Sequence, residues 1–251
     1  AFLNGELAFT PVAREPEALL AICAGLTNLS SGAELRFESN LPLGAGLGSS
    51  AAFILSLLKA LQPEITDKKL RKLAVEGENF QHGRSSGLDV AVSLKGGLLQ
   101  FEQGKISPVS LATPLPPFQV YHSGKPESST GDCVEQSREI FLKSPFFKED
   151  FREVIRKTKL ALQAQDLDAW KNSVRENHQL LCQLGVVPPA LQKTISRLED
   201  SGCAAKVCGA GSVHGNAAGM VLVLGEPPQP LPDSWQALPL KLSLHGTRIH
   251  P

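Results

Sequence analysis

Pro42-Leu43-Gly44-Ala45-Gly46-Leu47-Gly48-Ser49-Ser50-Ala51-Ala52 is the stretch whose reading decides the fold. Glycines at alternate positions let a backbone take positive φ and come close to a ligand. Before it, Leu35 and Phe37 alternate with Glu34, Arg36 and Glu38, a strand pattern over Glu34–Ser39. After it, Ser50 to Leu61 is apolar at helical spacing and is stopped by Pro63. The loop therefore ends at a helix N-terminus, where unpaired N–H groups and the positive end of the dipole seat a phosphate. Ser49 and Ser50 stand where the helix begins, so their hydroxyls can cap amides or meet an ion. The loop is not a Walker A sequence, because Gly48 is followed by Ser and not by Lys. Nor is it the dinucleotide fingerprint, because Ser49 stands where the third glycine is required. Taken alone it also fits a tight strand-to-helix turn closed by a serine.

Leu41 to Leu58 carries no charge, which meets the length rule for a membrane span. Its glycine-rich first half is a poor helix, so only Ala51–Leu61 reads as helical, about half a bilayer. The expectation is a loop and a buried helix, with no membrane partner. The chain has 251 residues, 42% of them hydrophobic and 20% charged, an ordinary globular composition. At about 150 residues per domain, one large domain or two modest ones is expected. The 25 Lys+Arg balance the 25 Asp+Glu, which argues against a nucleic-acid partner, since phosphate neutralisation needs a basic surface. The five cysteines form no CxxC pair, so neither structural zinc nor a redox dithiol is indicated. With no signal-peptide pattern in Ala1–Thr10, a reducing, cytoplasmic setting is expected.

Outward from the loop, Glu17–Leu29 reads as a helix, and Thr66-Asp67 opens another that runs to about Gln81. Gly83–Asp89 reads as a turn, and Phe101–Ile106 as a hairpin. Pro108, Pro114, Pro116 and Pro117 mark a linker. Phe118–His122 then opens a second half with helices near Lys148–Gln165, Leu167–Leu184 and Pro189–Ser201. Ala204–Cys208, Gly219–Leu224 and Leu240–Ile249 read as strands. Helices and strands without a βαβα rhythm favour an α+β fold.

Two further segments bear chemistry. In Glu78-Asn79-Phe80-Gln81-His82-Gly83-Arg84-Ser85-Ser86-Gly87-Leu88-Asp89, two carboxylates flank a glycine turn. Such a pair can divide labour, one holding Mg²⁺ and one taking a proton. Each singly also fits a solvated acid. In Lys206-Val207-Cys208-Gly209-Ala210-Gly211-Ser212-Val213-His214, a glycine-rich loop lies between strand patterns. It can pack against the first loop or offer amides to phosphate, or it can be a plain hairpin turn.

Together and in this order, the segments resemble the GHMP small-molecule kinases, and within them the mevalonate kinases. Residues 42–51 match the family's Pro-x-Gly-x-Gly-Leu-Gly-Ser-Ser-Ala motif throughout. His82-Gly83-x-x-Ser86-Gly87-x-Asp89, Gly96-Gly97 and Gln103-Gly104-Lys105 keep its order and spacing. Lys206-x-x-Gly209-Ala210-Gly211 resembles its third motif, and Leu242–His250 its last strand.

The resemblance implies a two-domain α+β fold. A ribosomal-protein-like N-terminal domain is expected over 1–117 and a ferredoxin-like C-terminal domain over 118–251, with ATP and substrate in a cleft between them. It implies ATP held by Leu43, Gly44, Ala45, Gly46, Leu47, Gly48, Ser49, Ser50 and Ala51, and by Gly209, Ala210 and Gly211. Mg²⁺ would be held by Ser50 and Glu78. Asp89 would take or orient the substrate proton, with Ser86 and Thr130 at the substrate. The implied reaction is phosphorylation of the mevalonate hydroxyl or a similar alcohol. A phosphomevalonate kinase and a catalytically weak nucleotide-binding relative are the alternatives, Lys125 and Arg84 being basic residues suited to the former. The partner is a small molecule, with a homodimer as a further option.

Two departures shape the expectations. The family's first motif, which carries a lysine near the substrate, has no equivalent here; Asn4-Gly5-Glu6 is a faint trace, and Ala1 is not Met. The first domain is therefore expected to lack its front edge. In the third motif Cys208 replaces Ser or Thr, and Ser212-Val213-His214 replaces glycines. Val at a position of positive φ is strained, so a different loop path is expected.

Overall fold

The computed structural model describes residues 2–3, 6–7, 36–39, 41–42, 44–82, 85–102, 104–110, 115–144, 146–240 and 242–249. The expected helix over Glu17–Leu29 lies outside the described residues. Close packing divides the chain into two compact units. The first comprises Ala1–Leu43, Gly48–Pro108 and Ser243–Pro251; the second comprises Gly44–Leu47 and Val109–Leu242. These units follow a different line from a single cut at Pro117, because both the glycine loop and the chain end are shared out.

In the first unit, β1 (Phe2–Leu3) pairs antiparallel with β2 (Glu6–Leu7) and parallel with β3 (Arg36–Phe37). Only this short piece of the expected strand Glu34–Ser39 is a strand among the described residues. Helix α1 spans Ser49–Leu61 and buries Ala51, Ile54, Leu55, Leu57 and Leu58. Full burial of the isoleucine and leucine side chains contributes roughly 1.5–3 kcal/mol each. Pro63 prevents its continuation. Helix α2 (Asp67–His82) follows, and Thr66 Oγ1 accepts from Lys69 N at 3.4 Å at its start. Leu70, Leu73 and Ala74 of α2 share one core with α1. A Cβ on Gly77 would lie 3.3 Å from Ile54 Cδ1, so the two helices touch closely there. Their short connection makes them antiparallel, and the Ile54–Gly77 contact brings the start of α1 alongside the end of α2.

The end of the expected turn Gly83–Asp89 instead opens helix α3, Leu88–Lys95. Asp89 lies in its first turn. The glycine pair 96–97 ends this helix, and the hairpin of β4 (Leu99–Glu102) and β5 (Lys105–Pro108) follows, with Phe101 opposite Ile106. The expected terminal strand over Leu240–Ile249 is absent among the described residues. That segment instead covers the end of α3: Gly97 N donates to Ser243 O, and Thr247 N to Ser93 O, each at 2.9 Å.

The second unit is built on a four-stranded antiparallel sheet, ordered β7-β8-β6-β9. Its strands are β6 (Gln119–His122), β7 (Ala204–Val207), β8 (Met220–Leu224) and β9 (Gln236–Ala237). Strand β9 forms one edge of this sheet. Helix α4 covers Thr130–Lys143, a stretch left without an expected element. Helices α5 (Phe146–Ala164), α6 (Leu167–Gln183) and α7 (Pro189–Asp200) match their sequence patterns. In β8, Val221 and Val223 pack with Leu191, Ile195 and Leu198 of α7. Leu222 and Leu224 pack with Trp170 and Val174 of α6. Burial on both faces explains why β8 reads as a continuous apolar run. No helix among the described residues is long and apolar enough to cross a membrane. Cys133 and Cys203 are buried, Cys182 and Cys208 half-buried, and all four are free thiols; they act as small core residues. Cys23 lies outside the described residues.

Candidate active site

The first glycine loop is divided between the two units. In the first unit, α1 begins directly after Gly48, which sits in the left-handed region at φ 68° and supplies no side-chain cap. The cap position is therefore Gly48, and Ser49 and Ser50 are the first helical residues rather than caps. The first intrahelical bond runs from Ala52 N to Gly48 O at 3.0 Å. The amides of Ser49, Ser50 and Ala51 precede it, in the place where a helix binds an anion.

Asp89 stands at the same point. A Cβ built on Gly48 would lie 3.2 Å from Asp89 Cβ and 3.3 Å from its Cγ. The exposed carboxylate of Asp89 is thus packed against the loop at the mouth of α1. Its placement comes from Gly87, which caps α3 at φ 75°, and from serine turns before it. Asn79 Oδ1 accepts from Ser85 N at 2.6 Å, and Ser85 Oγ from Gly87 N at 3.0 Å. Ser86 is exposed and its Oγ accepts from Leu88 N at 3.2 Å.

Glu78 lies one residue beyond Gly77 on α2, at the end that runs beside the start of α1. It is 4% exposed, and its Oε1 has no hydrogen-bond partner among the described residues. A buried carboxylate oxygen left without a partner is costly. A hard cation relieves that cost, and hydroxyl plus carboxylate is the donor chemistry Mg²⁺ takes. No cluster of three His, Cys, Asp or Glu side chains suited to a metal occurs among the described residues. A Mg²⁺ that relies on one carboxylate, a hydroxyl and substrate phosphates needs none.

In the second unit, Gly44–Leu47 docks on the third glycine segment. Ala45 is buried, and its carbonyl accepts from Met220 N at 3.0 Å. A Cβ on Gly46 would come within 2.8 Å of Cys208 O, and one on Gly209 within 2.6 Å of Gly46 Cα. The two loops therefore meet backbone to backbone, which only glycine permits at both places. Cys208 N donates to Met220 O at 2.8 Å, extending the β7–β8 ladder into the loop. Ala210 is half-buried and Gly211 buried.

Val213 does not take a positive φ. Gln165 is the one non-glycine residue with positive φ among those described. The loop has its turns at Gly209, Gly211 and Gly215 instead.

Thr130 is the exposed first residue of α4. Ser129 caps that helix, with Asp132 N donating to Ser129 Oγ at 3.1 Å and Ser129 N to Asp132 Oδ2 at 2.8 Å. The spacing Ser129-x-x-Asp132 is a capping-box signature readable in the sequence. Ser129 N and Ser129 Oγ, each donating to Asp132 Oδ2 at 2.8 Å, hold the Asp132 carboxyl below the usual carboxylate range. Lys125 is exposed, whereas Leu43 and Arg84 lie outside the described residues. In one unit the structure thus sets Asp89 against Gly48 at the start of α1, and Glu78 follows the Gly77 contact of α2 with Ile54 of α1. In the other it brings together Gly44–Leu47 and Gly209–Gly211.

The family model for the GHMP kinases N terminal domain matches residues 14–97, and that for the GHMP kinases C terminal domain matches residues 158–215. The mevalonate kinase of Archaeoglobus fulgidus is 32% identical over 188 residues, covering 72% of this chain and 63% of that protein. The mevalonate kinase of Mus musculus is 38% identical over 146 residues, covering 50% of this chain and 36% of that protein. The chain spans less than two thirds of the length of these relatives. A crystal structure of L. major mevalonate kinase in complex with R-mevalonate superimposes with a TM-score of 0.69 at 23% identity, covering 83% of this chain and 67% of that one. With both family models matched in order and together spanning more than half of its residues, the chain belongs to the GHMP kinases.

Proposed function

We propose that this protein transfers the terminal phosphoryl group of ATP to the primary hydroxyl of mevalonate, giving 5-phosphomevalonate. The observation that carries the reading is the packing of Asp89 against Gly48, where the bare glycine opens helix α1. It sets a carboxylate beside an anion seat, which is what a hydroxyl attacking a phosphoryl group needs. Similarity to mevalonate kinases supports the choice of alcohol.

In this mechanism the amides and hydroxyls at Gly44–Ala51 hold the phosphate oxygens, together with Gly209–Gly211. Ser50 and Glu78 are the residues that would hold Mg²⁺, whose charge offsets that of the phosphates. Asp89 accepts or orients the proton of the substrate hydroxyl, Ser86 and Thr130 lining the substrate. Positioning and charge neutralisation then carry most of the rate.

The test is ADP release by the purified protein with mevalonate, phosphomevalonate, galactose and homoserine in turn. Turnover is expected with mevalonate. Turnover with phosphomevalonate alone would favour the sister reaction. Nucleotide binding without turnover of any of them would identify a non-catalytic relative.

A further inference from the structure

In this chain Ser212-Val213-His214 occupies the place where the resemblance implies a run of glycines, and the structure shows what holds it. Ser128 Oγ accepts from both Val213 N and His214 N, each at 3.0 Å. Ser128 N donates to Ser212 Oγ at 3.2 Å, and Ser212 Oγ donates to His214 O at 2.8 Å. Ser212 N donates to Val186 O at 2.9 Å. Ser128 is 8% exposed and Ser212 fully buried. Val213 packs with Cys133, Leu184 and Val186, an apolar plug that glycine does not supply. One residue after Ser128, the Ser129 cap opens the helix that begins with Thr130.

We propose that Ser128 is a positioning residue: its hydroxyl ties the third glycine loop to the chain just before the Ser129 cap of the Thr130 helix. The nucleotide side and the substrate side of the second unit are thereby held at one spacing. The roles of Gly209–Gly211 and Thr130 rest on the kinase reading above; the hydrogen-bond network does not. Two amides converge on a single hydroxyl oxygen, so its loss leaves both without a partner at once. Gly209, five residues before His214, is then no longer fixed in its contact with Gly46.

Ser128→Ala and Ser128→Thr test this. For Ser128→Ala, which removes two hydrogen bonds at once, KM for ATP and for mevalonate is expected to rise about tenfold or more. Hydrogen-exchange protection is expected to fall at Val213 and His214. Ser128→Thr keeps the hydroxyl and is expected to restore both. A purely structural serine would lower the active fraction, and so kcat, with both KM values unchanged; that result overturns the proposal. If Ser128→Ala does not fold, Ser128→Cys is measured in its place, with the same expectations. Titration with a non-hydrolysable ATP analogue separates this question from the kinase reading. Wild-type protein that binds the analogue but leaves mevalonate untouched removes the assigned reaction. Lost protection with unaltered analogue affinity removes the positioning role.

Discussion

A carboxylate oxygen buried without a partner costs about 1–3 kcal/mol, and Glu78 Oε1 is in that position among the described residues. Function and stability therefore pull on Glu78 in opposite directions. Glu78→Gln removes the charge and keeps the shape, so in metal-free buffer the variant is expected to be about 1 kcal/mol more stable by urea unfolding. Its Mg²⁺-dependent turnover is expected to fall sharply. A variant that is less stable and fully active would show that Glu78 serves the core and not a cation. At Asp89 the prediction is kinetic alone. The side chain is exposed at the mouth of α1, so Asp89→Asn is expected to fold normally. Its kcat is expected to drop about 10²–10⁴-fold, the usual span for a general base, with nucleotide affinity little changed. Full activity in Asp89→Asn would end its catalytic assignment.

Between elements, the sharpest constraint is the contact of the two glycine loops. Gly209 has φ +69°, and a Cβ there would stand 2.6 Å from Gly46 Cα, which is backbone and cannot swing aside. Gly209→Ala must therefore part the loops. Affinity for an ATP analogue is expected to fall at least about tenfold, and the thermal midpoint is expected to drop with it. Unchanged affinity would mean that the loops need not touch to hold phosphate. This contact also marks how far the sequence could be read. The alternate glycines of Gly44–Gly48, the apolar helical spacing of α1 and the Thr66-Asp67 start of α2 are local signals, and they placed those elements within a residue or two. Helix α4 was not legible by the same means, because Cys133 is its one buried residue among those described, and a mostly exposed helix carries no apolar stripe. Strand expectation failed at the chain end for a related reason. The alternation of Leu240, Leu242 and Leu244 resembles a strand, but Leu242 and Leu244 are 60% and 68% exposed and the backbone there bonds to the end of α3. Ser128 was beyond reach altogether, since its partners lie 84 to 86 residues away.

Over the molecule as a whole, acid stability should be governed by His178. It is 6% exposed within α6, with Cys182 Sγ 3.5 Å from its Nε2. Burial first, and then the positive charge of Lys206, pull its pKa down from 6.5 to about 4. An unfolded chain takes up this proton near pH 6.5, while the folded chain resists it to about pH 4. Between those values the unfolded state holds more protons, so stability falls as pH falls. The loss is on the order of 2 kcal/mol across the window. Glu199 works the other way: burial raises its pKa, so the folded state takes up that proton first and gains stability on acidification. The contribution of His178 is therefore read as the difference between wild type and His178→Gln, which has no imidazole to protonate. Trp170 and Trp235, the two tryptophans of the chain, both belong to the second unit. Their fluorescence thus follows the unit that contains His178. Urea midpoints by tryptophan emission are expected to decline from pH 7 to pH 4 in wild type and to decline markedly less in His178→Gln. Parallel curves for the two proteins would show that His178 is protonated equally in the folded and unfolded states, and that its burial does not set the acid limit of the fold.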